Sequence, residues 1–92
     1  GENVGEVYRV ISDIKDGINN KAKYTVLFNS NLSENDKYRL YKAIFFNNGK
    51  GGKTNKEKWE SEDKKIQLRK QRGFSFDSYL NIKIKNAKDL EE

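Results

Sequence analysis

Nine basic residues between positions 50 and 72 are the groups in this chain best placed to do chemistry. They are Lys50, Lys53, Lys56, Lys58, Lys64, Lys65, Arg69, Lys70 and Arg72, set against only Glu57, Glu60, Glu62 and Asp63. Their excess of five positive charges equals the formal net charge of the whole chain, +5. A positive field confined to one short stretch attracts a polyanion, either a nucleic acid or an acidic protein. Residues 55–72 read as a helix. On it Lys58, Lys65, Arg69 and Arg72 fall within about 60° of one another, a stripe about 21 Å long. Such a stripe follows several phosphates of a nucleic-acid backbone. Lys50, Lys53 and Lys56 extend it into a Gly-Lys loop, where glycine exposes backbone N–H groups to phosphate. Lys70 adds charge beside the stripe. Trp59, Phe74 and Tyr79 lie close in sequence and have flat faces of the kind on which single-strand binders stack bases. Core packing is the commoner use of such rings.

The residues that are missing narrow the chemistry. The chain has no histidine and no cysteine. It therefore lacks the commonest general base near neutral pH, the commonest metal ligand and any thiolate or disulfide. No cofactor is expected. Glu60, Glu62 and Asp63 read as a solvent-facing run flanked by lysines, not as convergent metal ligands. The string Asn48-Gly49-Lys50-Gly51-Gly52-Lys53-Thr54 ends like a phosphate-binding P-loop. The first glycine of that motif would fall at Asn47, and the segment before it reads as helix where a strand is required.

Catalysis without histidine is still conceivable, because Lys, Arg and Tyr can stabilise phosphate charge. Residues 65–79 run Lys-Ile-Gln-Leu-Arg-Lys-Gln-Arg-Gly-Phe-Ser-Phe-Asp-Ser-Tyr. They resemble one family of RelE-like ribonuclease toxins, in which a basic helix leads into a Lys-His-Gly turn and a Ser-Phe-acid start. Gln71-Arg72 stand here in place of Lys-His, the stretch lies near the C-terminal end instead of the N-terminal end, and no other element matches. The resemblance would give Arg69, Lys70, Arg72 and Tyr79 roles in RNA cleavage.

The elements that must hold these groups are read from periodicity. Residues 4–14 are rich in β-branched and aromatic side chains and read as a strand. Asp16-Gly17 and Asn19-Asn20 supply turn chemistry. Residues 23–29 alternate Tyr24, Val26 and Phe28 with polar positions, a second strand pairing as a hairpin. Ser33 is a helix N-cap with Asp36 three residues on. Tyr38, Leu40, Tyr41, Ile44 and Phe45 share an arc about 160° wide, and Asn48-Gly49 stops that helix. Thr54 or Asn55 caps the basic helix, Trp59 and Ile66 dock it, and Gly73 ends it. In residues 74–85, Phe74, Phe76, Leu80, Ile82 and Ile84 alternate with polar residues and read as a last strand.

The expected fold class is therefore α+β. A small antiparallel sheet in β-β-α-α-β order carries helices packed on one face. Ninety-two residues make a single small domain over 1–92, with 86–92 a tail that frays. A first residue of Gly in place of Met is expected of a processed product, a tag remnant or a piece cut from something longer, and a cloning scar is the favoured expectation. No apolar run approaches a membrane span, and the expected compartment is the cytoplasm.

The function expected from these residues is a small basic nucleic-acid-binding domain contacting the phosphate backbone through residues 50–72. About four to six phosphate contacts would give a salt slope near −4 to −5 on duplex DNA. Two alternatives belong beside it. One is a protein-binding inhibitor, immunity or phage host-takeover module docking on an acidic partner. The other is a histidine-free ribonuclease toxin. A binding role is favoured over an enzymatic one.

Overall fold

The computed structural model describes residues 3–14, 20–47 and 53–87. Five helices account for the regular structure: α1 (Val4–Ser12), α2 (Asn20–Asn29), α3 (Glu34–Phe45), α4 (Lys56–Gln71) and α5 (Phe76–Asn86). Helix makes up 77% of the described residues and none of them forms a sheet. This overturns the α+β expectation. The three segments read as strands are α1, α2 and α5. The one β-type pairing among described residues is an isolated bridge between Asn47 and Thr54.

The reason lies in which spacing the core uses. In α5 the buried residues are Phe76, Tyr79 and Leu80, a helical i, i+3, i+4 set. The same residues supply most of a period-two pattern, and Tyr79 breaks it. Local chemistry settles the conflict. The Ser75 side chain accepts from the backbone N–H of Ser78 at 3.1 Å. Asp77 lies in the first turn, and Lys83 and Lys85 in the last, each favoured by the helix dipole. The Glu34 carboxylate also accepts from the Phe76 N–H, so α3 helps cap α5.

In α1, Asn3 and Glu6 form a reciprocal capping box, and Val7 and Ile11 are buried one turn apart. In α2, Lys23 and Leu27 are buried at i, i+4. The β-branched residues of these segments express a weak preference, which packing overrides. The turn expected at Asp16-Gly17 and Asn19, and the helix stop at Asn48-Gly49, lie outside the described residues. So do residues 88–92 of the expected tail, while Asn86 is the last residue of α5.

The broadest helix–helix contact is α2 against α5, with α1 against α2 and α3, and α4 against α5. Val7, Ile11, Leu27, Leu40, Tyr41, Trp59, Ile66, Phe76, Tyr79 and Leu80 form one core. Aromatic edges dominate it. Tyr41 lies 5.5 Å from Phe76, and Trp59 lies 5.3 Å from both Tyr38 and Phe46, centroid to centroid. Trp59 and Ile66 are the buried apolar residues of α4, while Leu68, on its far side, is exposed. The base of the Gly-Lys loop is closed by the Asn47–Thr54 bridge and a bond from the Asn55 N–H to the Phe46 carbonyl. No helix among the described residues is long and apolar enough to cross a membrane.

Candidate nucleic-acid interface

The last turns of α4 meet α5 along a groove of about 410 Å³. Lys65, Leu68, Arg69 and Arg72 line it from α4 and its C-cap, at spacings that keep them on one side of a helix. Tyr79, Ile82, Lys83 and Asn86 line it from α5, again at helical spacing, and Phe74 closes one end. Four of these residues are cationic and none is acidic.

The turn between the helices fixes the geometry. The Gly73 N–H donates to the Lys70 carbonyl at 3.0 Å, and the Phe74 N–H to the Arg69 carbonyl at 2.9 Å. This is a Schellman motif. It needs the left-handed backbone that Gly73 adopts at φ 93°. Two residues later Ser75 caps α5, so the link between the two helices is short and fixed.

A buried carboxylate stands behind the groove. Glu62 is only 7% exposed. It accepts hydrogen bonds from the Tyr41 and Tyr79 hydroxyls, and the Lys83 Nζ lies 3.2 Å from it. Burial pushes its pKa up. The two tyrosine hydrogen bonds and Lys83 outweigh that cost, and the carboxyl ends below its ordinary value. Glu62 therefore remains the anion that positions Lys83 and Tyr79. The expectation of a solvent-facing Glu62 is corrected. It shares the inward face of α4 with Trp59 and Ile66.

Tyr79 is held neutral. Burial, then its hydrogen bond to Glu62 and the charge of Glu62, push its pKa up, with Arg69 partly offsetting them. Its hydroxyl is committed to Glu62, so it is not a proton acceptor near neutral pH. The Arg69 guanidinium lies over its ring at 5.7 Å and the Lys83 Nζ at 5.5 Å. Tyr79 is a platform for cations and a core residue at 4% exposure, and its ring is not open to a base.

Of the ten residues picked out by the sequence, the structure brings Lys65, Arg69, Arg72 and Tyr79 to this groove. Lys53, Lys56 and Trp59 line a separate depression of about 540 Å³ with Lys42, Thr54, Glu60 and Asp63. Two carboxylates offset the lysines there, and Trp59 is buried under the Lys42 Nζ, 5.6 Å from its ring. Lys58 is exposed in the first turn of α4 and lines neither site. The Lys70 Nζ lies 5.8 Å from the Tyr38 ring, away from the groove. Lys50 lies outside the described residues. The set that the toxin resemblance would use is thus split, because Lys70 does not join Arg69, Arg72 and Tyr79.

Lys83, Ile82 and Asn86 were missed by sequence reasoning. Read with a period of two, Lys83 sits on the polar side of a strand, remote from Arg69. The signal that finds it is the spacing 79, 82, 83, 86. Among the described residues no group of three or more carboxylates is placed to hold a metal ion. Compared with known proteins, the chain matches no family model, no curated protein and no solved structure.

Proposed function

We propose that this chain is a small nucleic-acid-binding domain of the cytoplasm, which holds the phosphate backbone in the groove between α4 and α5. One observation carries the reading: Lys65, Arg69, Arg72 and Lys83 line a single groove that includes no acidic residue. Elsewhere on α4 the charges are mixed. Two of the four cations are guanidinium groups, whose planar fork suits phosphate oxygens. Lys83 is partly neutralised by Glu62, so the groove offers three to four charges to a ligand.

Fluorescence anisotropy with labelled oligonucleotides across a salt series tests this. Three to four phosphate contacts give a slope of log K on log salt of about −2 to −3 on single strands and about −3 to −4 on duplex. These slopes are shallower than the one the whole basic segment would give. Arg72→Ala is expected to flatten the slope by about one contact. Lys58→Ala, on the same helix but outside the groove, leaves the slope unchanged. Absence of binding at low salt would overturn the reading. So would a complex with an acidic protein that survives nuclease treatment while no nucleic acid binds.

A further inference from the structure

We infer that the occupant of this groove is an unpaired strand, with a base seated on Phe74 while the cations hold the neighbouring phosphates. The inference rests on the reading just proposed and narrows its ligand. Two of the large hydrophobic side chains left exposed among the described residues stand at this groove: Phe74 at 50% and Leu68 at 54%. Phe74 is not a loose loop side chain. Its backbone is fixed by the bond to the Arg69 carbonyl and by the left-handed Gly73 before it. An aromatic face is thereby presented to solvent at one end of the row Lys65, Arg69, Arg72.

A duplex and a single strand would meet this surface differently. A duplex turns its phosphates outward and keeps its base faces stacked inside. It could use the cations, but it has nothing to place on Phe74 and Leu68 outside an intercalated step. An unpaired strand presents phosphates and apolar base faces together, which matches a basic groove rimmed by an aromatic. The other rings near the basic segment are not free for this. Trp59 is 8% exposed and Tyr79 4%, and both are covered by cations. Asn86, exposed at the other end of the lining, adds a polar side chain without base-reading geometry.

The experiment compares one mixed-sequence oligonucleotide of DNA, free and annealed to its complement, and the same sequence as single-stranded RNA. The full chain is the binder in each case. The single strands are expected to bind more tightly than the duplex at equal salt. Phe74→Ala should weaken single-strand binding by roughly tenfold with no change in salt slope, since no phosphate contact is lost. Phe74→Trp should restore it. Phe74 is half exposed, so a far-UV CD spectrum and urea midpoint of Phe74→Ala show whether the fold is kept. Duplex binding as tight as single-strand binding overturns the inference and leaves the groove reading standing, as does a Phe74→Ala variant that binds like wild type. If neither form binds at low salt, the groove reading fails and the inference fails with it.

Discussion

Glu62 is the buried charge through which α4 is tied to α3 and α5. A carboxylate removed from water is stable only when its lone pairs are satisfied, and Glu62 gathers Tyr41 from α3, Tyr79 from α5 and Lys83 from α5. Glu62→Gln keeps the shape but presents one acceptor oxygen and an N–H₂ group. Both tyrosine hydroxyls and the Lys83 Nζ converge on Oε2, so an amide oxygen in that place still accepts from the tyrosines, but as a neutral acceptor, and Lys83 loses its counter-charge. A loss of about 2 kcal/mol at neutral pH is expected, read from urea denaturation. The pH dependence has a definite sign. The folded pKa of Glu62 is depressed from the ordinary 4.5. Its contribution is therefore full above that value and lost as pH falls through the folded pKa. Stabilities of wild type and Glu62→Gln should converge as pH is lowered from 7 toward 3. A gap that stays constant over that range would mean the carboxylate charge is not what the tyrosines and Lys83 hold.

The α4–turn–α5 unit is the element on which the groove depends, and Gly73 is its hinge point. A Cβ at Gly73 would meet no atom within 4 Å, so the cost of substitution there is purely conformational. With φ at 93°, Gly73→Ala is expected to lose about 1–2 kcal/mol, and Gly73→Asn less, because asparagine tolerates the left-handed region. Thermal unfolding followed by CD measures both, and equal losses would deny the conformational cause. The helix stop at Gly73 was legible in the sequence, as were Ser33 as an N-cap and the Thr54–Asn55 pair of which Asn55 is the cap, since capping chemistry is local. The three supposed strands were not. In α1, Val4, Val7, Tyr8 and Ile11 follow a helical i, i+3, i+4, i+7 spacing that the β-branched and aromatic composition masked, and the deciding signal was the Asn3–Glu6 capping box. In α5 it was the Ser75 cap followed by Phe76, Tyr79 and Leu80 at i, i+3, i+4. The same error hid half of the groove. Lys65, Arg69 and Arg72 were found from their spacing on one helix. Lys83 could be joined to them only when α5 was known to be a helix packed against α4. Glu62 was hidden because a carboxylate beside Glu60 and Asp63 looks solvent-facing until its register with Trp59 and Ile66 is counted.

At the scale of the whole molecule, α4 is held by few apolar groups and by a set of tyrosine hydroxyls. Tyr38 donates to Asp63 at 2.5 Å, while Tyr41 and Tyr79 donate to Glu62, so α3 and α5 both grip adjacent carboxylates of α4. Each of these tyrosines must stay protonated to donate. Burial first, and then the bonded carboxylate, raise their pKa values: Tyr38 to about 12, with Tyr41 and Tyr79 raised as well. Tyr24 is raised as well, by burial and by the charge of Glu62. In the unfolded chain tyrosine ionises near 10. Above that pH the unfolded state releases protons that the folded state retains. The stabilising effect is thus complete below pH 10 and is lost as pH rises toward the folded values. For Tyr41 and Tyr79 the loss is about 1.4 kcal/mol per pH unit each, with Tyr38 and Tyr24 acting in the same direction. A domain of this size has about 5–15 kcal/mol to lose. The helical CD signal is therefore expected to collapse within a few pH units above 10. The tyrosinate absorbance of these residues should rise with that collapse and not before it. Ionisation of Tyr38, Tyr41 and Tyr79 well ahead of helix loss would show that their hydroxyls do not hold α4 in place.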